Sequence, residues 1–167
     1  MDKKKNIPTS NTNKKKTVIF DMDNTLVDST KRWNLCQNQK KKWDCFFDEK
    51  KLELDEPNWK MIELSKKYHK KGYNVIIVTA RVERLKEGTI EQLKKFGVEF
   101  DDIYMRKDKD FRKDFEIKEE LIAKLIEEGH EIEKMFDDKS DVREIISKKF
   151  GIITIDPNEI NEEFVVI

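Results

Sequence analysis

One unit recurs four times along the chain: a charged helix end, a glycine, and a hydrophobic strand. It reads HKKGYNVIIV, KKFGVEFDDIYM, EEGHEIEKMF and KKFGIITI. Gly72, Gly97, Gly129 and Gly151 stand where a helix C-terminus favours a left-handed residue. The segments before them carry apolar residues at spacings of three and four. Met61, Ile62, Ser65 and Tyr68 make one stripe, and Ile90, Leu93 and Phe96 a second. Ile117, Leu121, Ile122, Leu125 and Ile126 make a third, and Val142, Ile145, Ile146 and Phe150 a fourth. Helices alternating with strands bury their apolar faces only by covering both sides of a parallel sheet. The expected fold is therefore an α/β, three-layer Rossmann-like sandwich. A length of 167 residues suits one domain, taken as residues 17–167.

The pattern fails between Leu26 and Pro57, a stretch too long to be a plain strand-to-helix connection. It carries Trp33, Trp43, Phe46 and Phe47, which a linker does not need. Residues of about 28–56 are read as a small cap insert over one end of the sheet. Its aromatics either pack the insert or stack a base or sugar. Residues 1–16 hold two lysine triplets and almost nothing apolar, and read as a disordered tail. The triplets loosely resemble a bipartite nuclear import signal. The terminal EFVVI is either a short strand or loose.

Lys+Arg and Asp+Glu balance at 35 each, which excludes the global basic field of a non-specific nucleic-acid binder. Local basic runs remain at Lys40–Lys42 and around Arg106, Lys107, Lys109, Arg112 and Lys113. Cys36 and Cys45 could pair, but they lack zinc-site neighbours and are read as reduced thiols of a cytosolic protein. No run approaches a membrane span, and no hydrophobic segment follows the lysine-rich N-terminus as in a secretory signal. The expected location is cytoplasmic or otherwise intracellular, away from membranes.

In an open parallel sheet, ligands sit beyond the C-terminal ends of the strands. There the first strand, VIF, ends in Asp21 with Asp23 just after, and VIIV ends in Thr79 and Arg81. The third strand ends in Arg106, and EKMF ends in Asp137 and Asp138. Carboxylates converging with basic groups suit a hard divalent cation, most simply Mg²⁺, and a phosphate.

These residues resemble the haloacid dehalogenase (HAD) superfamily of phosphatases. FDMDNT resembles its first motif, VIIVTA its second, Lys118 in RKDFEIKEELI its helix-borne lysine, and MFDDKSD its acidic pair. Each is weak alone, but the order and spacing over about residues 17–156 are specific. Within that superfamily the chain is similar to the 3′-phosphatase domain of phage polynucleotide kinase and its free-standing relatives. The similar segments are NWKMIELSKKYHKKGYNVIIVTAR, Met105-Arg106, DFRKDFEIKEELI and MFDDKSDVREI. No glycine builds a phosphate-binding P-loop, so the kinase half has no counterpart here. Position 24, usually glycine in the family, is asparagine, a residue that tolerates left-handed backbone.

The resemblance implies Asp21 as nucleophile and Asp23 as general acid, acting near other carboxylates. It implies Mg²⁺ on Asp21, the Asp23 main-chain carbonyl and Asp137, with Asp138 acting on the metal site from behind these ligands or through water. Thr79 would hydrogen-bond the phosphoryl group, Lys118 would neutralise charge, and Arg81 and Arg106 would contact substrate. The implied activity is a Mg²⁺-dependent phosphomonoesterase working through an aspartyl-phosphate, acting on 3′-phosphate ends of DNA or RNA. A phosphatase of nucleotides or small metabolites is the alternative. A non-enzymatic binding relative fits less well, because every catalytic position is filled. Oligomeric state is not legible.

Overall fold

The computed structural model describes residues 15–161. Five parallel strands form the central sheet in the order β5-β4-β1-β6-β7. They are β1 (Thr17–Phe20), β4 (Asn74–Val82), β5 (Asp102–Arg106), β6 (Ile132–Phe136) and β7 (Ile153–Ile155). Two short strands, β2 (Val27–Asp28) and β3 (Glu56–Pro57), pair antiparallel outside the main sheet. The central β1, TVIF, is buried at every position, as a parallel strand covered on both faces must be.

Side chains alternate across the sheet and define the two core layers. Val18, Phe20, Val75, Ile77 and Phe136 face α3 (Trp59–Lys70) and α4 (Lys86–Lys95), meeting Met61, Ile62, Tyr68 and Leu93. Ile19, Ile76, Val78 and Met135 face α5 (Asp114–Glu127) and α6 (Ser140–Phe150), meeting Ile122, Leu125, Val142 and Ile146. Each fully buried aliphatic contributes about 1.5–3 kcal/mol. The three-layer sandwich expected from the sequence is the observed architecture.

All four helix-ending glycines have positive φ. At Gly151, φ is 69° and its N–H donates to the Ser147 carbonyl, closing α6 with a left-handed cap. Asn24 also takes positive φ, 63°, in the turn after β1. Its side-chain oxygen accepts from the Ser29 N–H at 3.3 Å, which ties that turn together.

The β2–β3 pair is the neck of the insert. Between its strands lie α1 (Thr30–Cys36), α2 (Lys42–Phe46) and a 3-10 turn over Glu49–Leu54. Trp33, Trp43, Phe46 and Phe47 pack on one another, with ring centroids 5.5–6.0 Å apart. The expectation of free thiols is corrected here. Cys36 and Cys45 form a disulfide, because α1 and α2 bring their Cα atoms to 5.5 Å, within the usual disulfide range. A further difference lies at the N-terminal boundary, where Lys16 is part of the fold, its carbonyl accepting from Asn74 N–H at 2.8 Å. Residues 1–14 of the expected tail lie outside the described residues, as does the terminal EFVVI. Among the described residues, no helix is long and apolar enough to cross a membrane.

Candidate active site

Strand register brings the acidic motifs together. Phe20 of β1 is the partner of Phe136 of β6, so the next residue on each strand, Asp21 and Asp137, emerges side by side. The Asp21 N–H donates to the Phe136 carbonyl at 3.0 Å and fixes the junction. Asp138 completes the group, and one carboxylate oxygen from each of the three lies within 4.8 Å of the others. Asp21 is 4% exposed and Asp137 fully buried.

Lys118 closes this cluster from α5. Its Nζ donates to Asp21 Oδ1 at 2.7 Å and to Asp137 Oδ2 at 2.6 Å, and the residue is 2% exposed. It sits on the same helical line as Ile122 and Leu125, so a lysine occupies a core-facing place. The apolar stripe is correspondingly rotated, leaving Ile126 42% exposed. Burial opposes the Lys118 charge, but Asp137 and Asp21 outweigh it and raise its pKa. Thr25 Oγ1 donates to Asp21 Oδ2 at 3.1 Å, so both oxygens of Asp21 are oriented.

Three carboxylates against one ammonium leave the cluster short of positive charge. Burial, then the neighbouring Asp137, pushes the Asp21 carboxyl well above its ordinary value. Burial also raises Asp138. Convergent oxygen-only donors, two buried and one half-buried, with excess negative charge fit a hard divalent cation such as Mg²⁺.

Asp23 departs from expectation. Its carboxylate does not join the acidic trio but turns to two guanidiniums. Arg32 Nη2 donates to Asp23 Oδ1 at 2.6 Å, while Arg81 donates through Nε at 3.0 Å and Nη2 at 2.8 Å. Burial alone would raise this carboxyl, yet Arg81 and then Arg32 hold it far below the usual carboxylate range. The structure thus surrounds Asp23 with cations rather than with the carboxylates anticipated. Asp55, from the end of the insert, shares the same arginines. It accepts from Arg32 at 2.9 and 2.8 Å and from Arg81 at 3.0 Å. Two aspartates and two arginines therefore fasten the insert to the sheet edge.

Arg81 and Arg106 are not presented to solvent as expected of substrate contacts. Arg81 is 1% exposed, and besides the two aspartates it donates to Thr89 Oγ1 and Gln92 Oε1, each at 2.9 Å. Arg106 donates to the carbonyls of Ala80, Asp110 and Arg112 and to Asp114 Oδ1. It braces the loop between β5 and α5. The two guanidiniums are consumed because each lies beneath a segment whose carbonyls or carboxylates need donors. Thr79 is buried on β4, its hydroxyl accepting from the Arg81 N–H at 3.1 Å.

Sequence reasoning missed Arg32, Asp55 and Thr25. Thr25 was legible as part of FDMDNT. Arg32 and Asp55 were not, because each stands beside other charged residues in the insert and resembles solvated surface.

Residues 15–158 match the family of the polynucleotide kinase PNKP phosphatase domain. A solved structure of a Pnkp1/Rnl/Hen1 complex is similar at 26% identity and a TM-score of 0.69. That likeness covers 84% of this chain but only 45% of the other, so this chain spans less than half of that relative. A haloacid dehalogenase-like hydrolase from Streptococcus pneumoniae shares the fold at 14% identity, with a TM-score of 0.64 over 85% of this chain and 84% of that one. Phosphoserine phosphatase in apo form does so at 20% identity, with a TM-score of 0.53 over 81% of this chain and 83% of that one. The chain belongs to the polynucleotide kinase PNKP phosphatase-domain family, among the HAD-type phosphatases.

Proposed function

We propose that this chain is a Mg²⁺-dependent phosphomonoesterase that removes the 3′-phosphate of a DNA or RNA end through an aspartyl-phosphate on Asp21. The observation that carries the chemistry is the buried Asp21 carboxylate, oriented by Lys118 and Thr25 inside a trio of acids. The family match and the resemblance to a protein solved in an "RNA repair complex" support the polynucleotide substrate.

The Mg²⁺ would be held by Asp21, the Asp23 main-chain carbonyl, Asp137 and Asp138. When bound it supplies the positive charge that lets a carboxylate approach an anionic phosphate. Lys118 orients Asp21 for attack and favours its ionised form against the burial and the neighbouring Asp137 that oppose it. One Asp21 oxygen forms a bond to phosphorus as the bond to the 3′-oxygen breaks. Asp23 gives its proton to that departing oxygen. Water then attacks the acyl phosphate, yields its proton to Asp23, and frees phosphate and Asp21. Thr79 orients the phosphoryl group.

The first step needs Asp23 protonated, whereas its two guanidinium partners favour the anion. An entering phosphate competes for those same guanidiniums, above all that of Arg81. As they turn toward substrate, Asp23 loses its counter-ions and its affinity for a proton rises. The substrate contact expected of Arg81 thus requires it to exchange a partner.

The test is phosphate release, with Mg²⁺, from a 3′-phosphorylated oligonucleotide beside nucleoside monophosphates and an aryl phosphate. Preference for the oligonucleotide, abolished in Asp21→Asn with the fold intact, is the expected result. Preference for the small esters would move the reading to a nucleotide or metabolite phosphatase. Turnover surviving in Asp21→Asn would refute the covalent mechanism.

A further inference from the structure

Phe111 is the most exposed large hydrophobic residue among those described, at 90%. It packs no core, yet the loop that carries it is held with unusual thoroughness. Arg106 Nη1 donates to the carbonyls of Asp110 at 2.8 Å and Arg112 at 2.5 Å, the residues on either side of Phe111. Arg112 folds back onto Asp110, with Nη2 to Oδ2 at 2.7 Å. Asp108 accepts from the Arg84 N–H at 3.0 Å, pinning the loop to the turn after β4. A buried arginine therefore spends its donors on shaping a loop whose apex is a bare phenyl ring.

The loop stands at the C-terminal edge of the sheet, tied to the site on two sides. Arg106 Nε donates to the carbonyl of Ala80, between Thr79 and Arg81. Asp114, at the loop's end, accepts from Arg106 at 2.6 Å and from Lys139 Nζ at 2.6 Å. The Lys139 N–H in turn donates to Asp137 Oδ1 of the acidic trio at 3.0 Å. On the same loop Lys107 and Lys109 are exposed, as is Lys113, whose ammonium lies 6.0 Å from the centre of the Phe115 ring. An exposed aromatic ring on a braced loop that also carries exposed lysines suits a base and its flanking phosphates better than an apolar partner, which would strand those charges.

We propose that Phe111 is a stacking platform for an unpaired nucleobase near the 3′-phosphate end of a single-stranded nucleic acid, with Lys107 and Lys109 on its backbone phosphates. The proposal rests on the polynucleotide reading above and deepens it. Because every base has a π-face, the contact selects nucleic acid over small esters without selecting sequence.

The experiment compares the full chain with Phe111→Ala and Phe111→Trp on a single-stranded 3′-phosphorylated oligonucleotide and on an aryl phosphate. Phe111→Ala lowers kcat/KM for the oligonucleotide by roughly 5- to 150-fold and leaves the aryl phosphate unchanged. Phe111→Trp restores the oligonucleotide rate, and Lys107→Gln with Lys109→Gln flattens its salt dependence. Wild-type preference for the oligonucleotide, retained in full by Phe111→Ala, would overturn the platform while sparing the polynucleotide reading. Equal losses on both substrates would mean a distorted loop and also overturn it. A changed sedimentation coefficient with unchanged kinetics would assign Phe111 to a protein contact instead. Absence of any wild-type preference for the oligonucleotide would refute the polynucleotide reading, and the platform with it.

Discussion

Replacing Arg32 by methionine isolates the cluster that joins the insert to the sheet edge. Arg32 is fully buried and makes four hydrogen bonds: two to Asp55, one to Asp23 and one to the Phe46 carbonyl. Its guanidinium carbon also lies 4.1 Å from the centre of the Phe46 ring. Methionine preserves much of the packing volume but leaves Asp23 and Asp55 sharing Arg81 alone, with one negative charge uncompensated. Breaking a buried ion pair from one side costs about 3–5 kcal/mol. For a chain of this length that is a fall in Tm of roughly 6–20 °C. Urea unfolding of wild type, Arg32→Met, Asp55→Asn and the double variant is the assay. The double variant should lose less than the sum of the singles, because removing Asp55 relieves the stranded charge. Arg32→Lys should fall between, since an ammonium keeps the charge but cannot fork in plane to both aspartates. A loss below about 1 kcal/mol in Arg32→Met, the size of a surface substitution, would refute the claim that this cluster fastens the insert.

Metal should stabilise the fold in a pH-dependent way. Asp21 and Asp138 have raised pKa values, so the fold binds their protons more tightly than the unfolded chain does, and stability falls as pH rises through those values. A divalent cation offsets that loss, so Mg²⁺ should raise Tm more at neutral pH than near the ordinary carboxylate range. An equal shift at both, read by thermal denaturation, would contradict the assignment of the trio. For the disulfide, titration with a thiol reagent under denaturing conditions should find no free thiol until reductant is added, and Cys36→Ser should cost about 2–4 kcal/mol. Free thiols in the untreated protein would contradict the pairing.

Much of the architecture was legible because it depends on local, periodic signals. Gly72, Gly97, Gly129 and Gly151 mark helix ends through backbone sterics alone, and their positive φ follows from that. The stripe Met61, Ile62, Ser65 and Tyr68 faces the core because 3.6-residue periodicity leaves it no alternative. Asp21, Asp137 and Asp138 converge because strand ends in a parallel sheet share one edge. Even Lys118 carried a local mark, standing in line with Ile122 and Leu125.

What the tertiary structure alone decided is which charges find each other. Sequence identifies Asp23, Arg81 and Arg106 as residues at strand ends, but a side chain's partner depends on what the rest of the chain places within about 3 Å. Arg32 and Asp55 come from an insert without periodicity, so nothing local foretold that they would enclose Asp23. Arg106 meets carbonyls several residues away whose need for a donor arises only once the loop has folded. Cys36 and Cys45 lie nine residues apart, and their pairing depends on how α1 packs on α2. Backbone sterics and hydrophobic period act over a few residues and are written in the chain. Electrostatic pairing acts through space and is settled only when the fold has closed.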